Sequence, residues 1–255
     1  MKLEEFLLAL KTLAANNGLS EPLIVGGVVR DRVLGKIGER NEIKDIDLTT
    51  GNKDSKRLGE LIKQVYPEAN YRIFDDGHTA ADVFGIHLDL SSNFVIPGID
   101  KELVRLGVKD LDDMKRELYS RDFSINTLLE KLDFSALYDI TKEGVGDIHA
   151  KLLRCPIDPN ITIGIDARRI LRAIKFAVKY DFTIESKLRQ AMLDHRKSIA
   201  NLPPKYAASK IDEIVRLDPD RGLDLLIEFK LLSLVQLSKF VYDTLIQRRK
   251  VIHAL

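Results

Sequence analysis

The sequence predicts an α+β protein: a head with a small mixed β-sheet flanked by helices, then an all-α neck and body. Three observations lead there. Up to about residue 140, short apolar or alternating runs are interleaved with short helical ones and glycine-containing turns. From Ile165 onward, apolar residues recur at helical spacing almost without pause. Between the two regimes stand Pro156, Pro159 and Gly164, which place the boundary within 151–164 and divide the chain into 1–155 and 156–255.

Each element follows from its own pattern. Phe6, Leu7, Leu10 and Leu13 form one face of an amphipathic N-terminal helix ended by Gly18, and Glu4, Glu5 and Lys11 argue against a signal peptide. Residues 22–25 read as a buried strand that runs into Gly26-Gly27, and 28–34 as a short helix stopped by Gly35. Acidic and apolar residues alternate over 45–49, as a half-buried strand requires. A helix over 55–65 is closed by Pro67, and strands follow at 71–74, 80–84 and 86–90, with Asp76-Gly77 as a turn. A last strand is expected at 137–140. In the second part Ala167, Ile170, Leu171, Ile174, Ala177 and Val178 make an apolar helical stripe. Further helices are expected near 184–195, 205–216, 220–229 and 241–253, separated by Pro203-Pro204 and Asp218-Pro219.

Composition limits the function classes. The 255 residues are 45% hydrophobic and 31% charged, ordinary for a protein with a buried core. Lys and Arg (40) nearly equal Asp and Glu (39), so any RNA-binding face must be local. One cysteine, Cys155, allows neither an internal disulfide nor a cysteine zinc cluster and fits a reducing compartment such as the cytoplasm. No run of 18 apolar residues is present, so no membrane span is predicted.

Two features of the head point to chemistry. Gly26 and Gly27 sit between a strand and a helix, where backbone can approach a phosphate closely, and Arg30 adds a fork of donors. The same residues would also serve as a plain strand–turn–helix corner. Asp45 and Asp47, two apart on a strand, present two carboxylates on one face, with Ile46 and Leu48 toward the core. Such a pair repels itself unless a cation intervenes, and Mg²⁺ shared with substrate phosphates suits it; a solvated edge strand is the alternative. Asp89, flanked by Leu88 and Leu90, is a third acid that could complete a two-metal site or simply face water.

Together these residues carry a resemblance. Residues 23–50, LIVGGVVRDRVLGKIGERNEIKDIDLTT, resemble the signature of class II nucleotidyltransferases, the family of CCA-adding enzymes and bacterial-type poly(A) polymerases. Residues 120–127, SRDFSINT, are similar to the family's RRDFTINA, with Ser120 and Thr127 as departures. Asp139 and 144–154 resemble the stretch joining head and neck. Residues 165–176, IDARRILRAIKF, resemble the neck pattern E-D-x-x-R-x-x-R-x-x-R-F, with Ile165 in place of the acid and Lys175 in place of an arginine. Residues 220–226 resemble the family's body helices.

The resemblance implies a template-independent RNA 3′-terminal nucleotidyltransferase that adds C or A, from CTP or ATP, to a tRNA 3′ end. The alternatives are a poly(A) polymerase or a specialised terminal transferase on other RNA, and, in another class, a non-catalytic nucleotide- or RNA-binding module on the same fold. It implies two Mg²⁺ ions held by Asp45 and Asp47, with Asp89 assisting catalysis. Gly26, Gly27 and Arg30 would position the triphosphate, and Arg121, Asp122 and Asn126 the nucleotide and its sugar. Asp166, Arg169, Arg172 and Lys175 form a polar row three residues apart. There Asp166 and Arg169 would read the base edge, and Arg172 and Lys175 would face the triphosphate. Acceptor RNA would lie on Lys205, Lys210, Arg248, Arg249 and Lys250. The chain is shorter than family members with an RNA-gripping tail, so RNA anchoring is expected to be weak, or to come from a homodimer or a protein partner.

Overall fold

A computed structural model describes residues 2–37, 43–75, 77–91 and 93–253, with backbone alone over 249–253. Residues 38–42 of the signature, the turn residue Asp76, and the side chains of Arg249 and Lys250 therefore lie outside the described residues. The chain divides into two compact units, Met1–Ala150 and Lys151–Leu255.

The first unit runs α1 (Leu3–Asn16), β1 (Leu23–Val25), α2 (Gly27–Val33), β2 (Asp45–Thr49), α3 (Asp54–Val65), β3 (Arg72–Ile73), β4 (Thr79–Val83), β5 (Ile86–Leu90), α4 (Ile99–Arg105), α5 (Asp113–Tyr119), β6 (Leu129–Lys131), β7 (Leu137–Tyr138) and α6 (Gly144–His149). Among the described residues the strands form one seven-stranded sheet in the order β3-β4-β5-β2-β1-β6-β7. All neighbours are antiparallel except β2 and β5, which are parallel, with Asp45 opposite His87 and Asp47 opposite Asp89. A parallel pair needs a long crossover; α3 and the β3–β4 hairpin provide it.

The alternation in β2 does what its period demands. Ile46 and Leu48 are buried, while Asp45 and Asp47 emerge on the other face. Each buried aliphatic side chain contributes about 1.5–3 kcal/mol relative to exposure, so a one-residue slip of β2 is strongly disfavoured. On the apolar side α3 buries Leu58 and Ile62. Gly59 permits its close approach, since a Cβ there would meet Thr79 Oγ1 at 2.5 Å and the Tyr71 ring at 3.1 Å. Helix α1 buries Leu3, Phe6, Leu7, Leu10 and Ala14. Leu13, expected inward, is only half-buried, because the buried face turns toward Ala14. Phe6 packs edge-on against Tyr66 and Phe84.

The second unit contains β8 (Leu152–Leu153), α7 (Pro159–Ile165), α8 (Arg168–Tyr180), β9 (Thr183–Ile184), α9 (Ser186–His195), α10 (Pro204–Leu217), α11 (Pro219–Glu228) and α12 (Lys239–His253). Strands β8 and β9 pair in parallel, a small addition to an otherwise helical unit. Helices α7 and α11 start alike: Asp158 and Asp218 accept hydrogen bonds from the backbone N–H groups of Asn160 and Arg221, with proline in the first turn. The apolar stripe Ile170, Leu171, Ile174, Ala177 and Val178 is buried as expected, while Ala167 is half-buried ahead of the helix. Among the described residues no helix is long and apolar enough to cross a membrane.

Candidate active site

Pairing of β4, β5 and β2 lays the charged residues of the first unit in rows across one sheet face. Asp82, His87 and Asp45 are opposite one another on successive strands; Asp89 and Asp47 are opposite in the next row. Donor atoms of Asp45, His87 and Asp89 all lie within 4.8 Å of one another. Asp89 thus lies beside Asp45. His87 was not anticipated, although the alternation over 86–90 puts it on the same face as Asp89.

Asp47 turns toward the glycine corner. Its carboxylate accepts a hydrogen bond from the Gly27 N–H. A Cβ on Gly26 would lie 3.0 Å from Asp47 Oδ2 and 3.6 Å from Arg121 Nη1. Gly26 also has φ +78°, which only glycine adopts without strain. The corner therefore brings Asp47 and Arg121 to one spot. The Gly27 amide, expected to face phosphate, is engaged with Asp47. Burial pushes the Asp47 carboxyl above its ordinary pKa; Arg121 opposes this, Asp89 and Asp45 add to it, and the Gly27 N–H opposes it. Beside it the donor atoms of Asp45, His87 and Asp89 converge, and that oxygen-and-nitrogen set fits a divalent cation.

Arg121 is held from behind by a residue the sequence did not single out. Glu117 is buried and accepts from Arg121 Nη2 (2.9 Å), Thr49 Oγ1 (2.7 Å), Ser91 Oγ (2.9 Å) and Asn93 Nδ2 (2.7 Å). Burial by itself would raise the Glu117 pKa; the Arg121 guanidinium and the hydrogen bonds outweigh it and hold the carboxyl below its ordinary value. Arg121 Nε is buried without a hydrogen-bond acceptor among the described residues. A buried donor left without a partner costs free energy.

Arg30, Asp122 and Asn126 are also found together, but as an internal tie. Arg30 is buried, bonds Asn126 Oδ1 at 2.8 Å and pairs with Asp31 at 2.9 Å. Asn126 in turn donates to Asp122 Oδ1, which also accepts the Phe123 N–H. The tie joins α2 to the 3-10 turn Ser124–Asn126. Asp147 anchors the same turn through Ser124 Oγ, and Asp139 caps α6 by accepting from Gly144 and Val145 N–H. Ser120, which replaces the family's arginine, is buried; its hydroxyl donates to the Arg116 carbonyl and accepts from the Ile96 N–H. That position supports the loop before α4.

In the second unit the expected polar row is only partly regular. Asp166 precedes α8 instead of lying on it, and both its oxygens are engaged by Arg168 Nε, at 2.9 and 3.0 Å. Arg169 is buried, with Nη1 3.3 Å from the Thr162 carbonyl oxygen. Arg172 is exposed beside the Phe176 ring, and Lys175 pairs with Glu213. Those two bases line a pocket of about 280 Å³ with Leu171, Phe176, Tyr206 and Lys210. Of the cations expected to meet RNA, Lys205 is exposed, Lys210 pairs with Glu213, and Arg248 bonds Asp224.

Among curated proteins, the chain is 25% identical to "tRNA nucleotidyltransferase cca2" of Schizosaccharomyces pombe over 253 residues, covering 92% of this chain and 51% of that one. It is 30% identical to a CCA-adding enzyme of Levilactobacillus brevis over 214 residues, covering 80% of this chain and 48% of that one. The chain thus spans about half the length of these relatives. In fold it is similar to the Bacillus stearothermophilus CCA-adding enzyme solved in complex with CTP, with a TM-score of 0.72 at 20% identity, covering 95% of this chain and 56% of that one. The family described as "Poly A polymerase head domain" matches residues 23–154, a stretch that runs from β1 through the glycine corner, the strand carboxylates and the Arg121–Asn126 turn. With more than half of its 255 residues inside that match, the chain belongs to the poly(A) polymerase head-domain family of class II nucleotidyltransferases.

Proposed function

We propose that the protein transfers nucleotidyl groups from CTP or ATP to the 3′ end of a tRNA without a nucleic-acid template. The observation that carries this reading is the meeting of Asp47, Gly26 and Arg121 at one corner, beside the Asp45–His87–Asp89 cluster. The names of the relatives agree with it. In the reaction, the RNA 3′-oxygen bonds to the α-phosphorus and the bond from that phosphorus to the bridging oxygen breaks, releasing pyrophosphate.

Asp45, Asp47 and Asp89 are the residues that would hold divalent cations. Bound there, Mg²⁺ would lower the pKa of the attacking hydroxyl and balance charge on the leaving pyrophosphate. Arg121 is assigned to the triphosphate and sugar, because Glu117 fixes its Nη2 while its Nη1 reaches the Gly26 corner and its Nε finds no acceptor among the described residues. Gly26 keeps the corner open. Arg30, Asn126 and Asp122 position that corner through their mutual bonds.

Residues 1–155 carry the catalytic role; 156–255 carry base recognition and RNA binding. Asp166 and Arg169 are assigned to the base. A carboxylate accepts from the exocyclic amino group that C and A share, and a guanidinium donates to the neighbouring acceptor nitrogen. Arg172 and Lys175, with the aromatic lining of their pocket, suit phosphate and stacked base.

The test supplies labelled CTP, ATP, UTP or GTP singly, with Mg²⁺, to tRNA lacking its terminal CCA and to oligo(A). Addition of C and then A to the tRNA supports the reading. Long A tracts on both acceptors would replace it with poly(A) synthesis. Absence of any transfer, with nucleotide still bound, would indicate a binding module.

A further inference from the structure

His87 lies at the centre of the charged sheet face. Register puts Asp82 opposite it on one side and Asp45 on the other. Its ring is clamped at one nitrogen: Nδ1 is 2.5 Å from Asp82 Oδ1. Asp82 is itself fixed, since its Oδ2 accepts from Asn70 Nδ2 at 3.0 Å and from Arg72 Nη2 at 3.1 Å. Arg72 Nη2 also lies 3.5 Å from Nδ1, but a guanidinium has no lone pair to offer, so an Nδ1 proton goes to Asp82. The other nitrogen faces the carboxylates, with Nε2 3.5 Å from Asp89 Oδ1 and within the cluster that includes Asp45.

A carboxylate on one ring nitrogen and an open position at the other is how proteins orient a metal-binding histidine. The ring is half-exposed, so its orientation is set by these polar contacts and not by core packing. We propose that His87 ligates, through Nε2, the divalent cation held by Asp45 and Asp89, and that Asp82 is its orienting partner. The proposal rests on the reading of those carboxylates as the cation site. Mg²⁺ favours an all-oxygen shell, whereas imidazole suits transition metals. The site therefore favours Mn²⁺ over Mg²⁺ by more than its two carboxylates alone would.

The test uses the full chain without nucleotide or RNA, so it does not depend on transfer activity. Mn²⁺ binding is followed by electron paramagnetic resonance, and spin-echo modulation reports any coordinated ¹⁴N. The wild type is expected to show ¹⁴N coupling, and His87→Gln to lose it. His87→Gln should also weaken Mn²⁺ more than Mg²⁺, measured by competition, and Asp82→Asn should weaken Mn²⁺ by roughly 10- to 100-fold. Circular dichroism checks that both variants fold. Bound Mn²⁺ without ¹⁴N coupling in the wild type would overturn the role of His87 and leave the carboxylate site standing; the ring would then be an internal counter-ion for Asp82 and Asp89. Failure of the wild type to bind Mn²⁺ at millimolar concentration would overturn both.

Discussion

Replacing Glu117 probes how the corner is held. Its buried carboxylate takes four donors, two on each oxygen: Thr49 and Asn93 on Oε2, Ser91 and Arg121 on Oε1. In Glu117→Gln one oxygen becomes an NH₂ that confronts two donors. Thr49 or Ser91 can rotate its hydroxyl to accept, but the amide of Asn93 must flip or the guanidinium of Arg121 must move. Loss of one charge-assisted hydrogen bond costs about 1.5–3 kcal/mol. In Glu117→Ala all four donors are stranded, and breaking a buried ion pair costs about 3–5 kcal/mol. Arg121 retains some exposure, with 22% of its side-chain surface accessible, so water recovers part of that cost and the lower half of the range applies. Urea unfolding of the full chain measures stability, and calorimetry measures CTP affinity. We expect stability losses in the order Ala over Gln, and weaker CTP binding even in the folded Gln variant because Arg121 loses its anchor. Loss of less than about 1 kcal/mol in both, or full loss with unchanged CTP affinity, would refute the positioning role.

Three further outcomes follow from the geometry. Gly26→Ala forces a residue with a Cβ to φ +78° and ψ −126° and brings that Cβ to 3.0 Å from Asp47 Oδ2; backbone strain of about 1–3 kcal/mol is expected, with a larger loss of nucleotide binding by calorimetry. Arg168→Ala releases Asp166 from an exposed ion pair worth about 0.2–1 kcal/mol, so the KM for CTP should fall by roughly 1.5- to 5-fold, with melting temperature nearly unchanged. The depressed pKa of Glu117 contributes stability that is fully present above the ordinary glutamate range and is lost as pH falls through the lower folded value. Melting temperature against pH should therefore show a steeper acid limb in the wild type than in Glu117→Gln; parallel limbs would contradict that assignment.

Elements with a strong period were legible in the sequence, and those whose meaning comes from register were not. Strand β2 occupies 45–49, as its alternation implies, and the apolar stripe of α8 is buried. Strand β6 was missed because Leu128, Leu129 and Leu132 do not alternate and its charged Glu130 is buried opposite Ile24. Strands β8 and β9 have two residues each, too few for any period. The paired aspartates and glycines stood out by local spacing. His87 and Glu117 did not, since their partners lie on other strands and helices, up to 68 residues away for Glu117 and Thr49. Arg30 and Asn126 were placed near the nucleotide by motif alone, and only the folded chain reveals that they bond each other. The row through Asp166 assumed one continuous helix; the break between α7 and α8 gives Asp166 to Arg168 instead.

The account stands most directly on Asp47, and single-turnover transfer from labelled CTP to a CCA-lacking tRNA measures it. Asp47→Asn keeps the shape of the side chain and its capacity to accept the Gly27 N–H while removing the charge. The folded variant should lose at least about 100-fold in rate, the scale of one preorganised electrostatic contact to a transition state. A rate within a few-fold of the wild type, at equal folded protein, would contradict the assignment of this corner as the centre of the reaction.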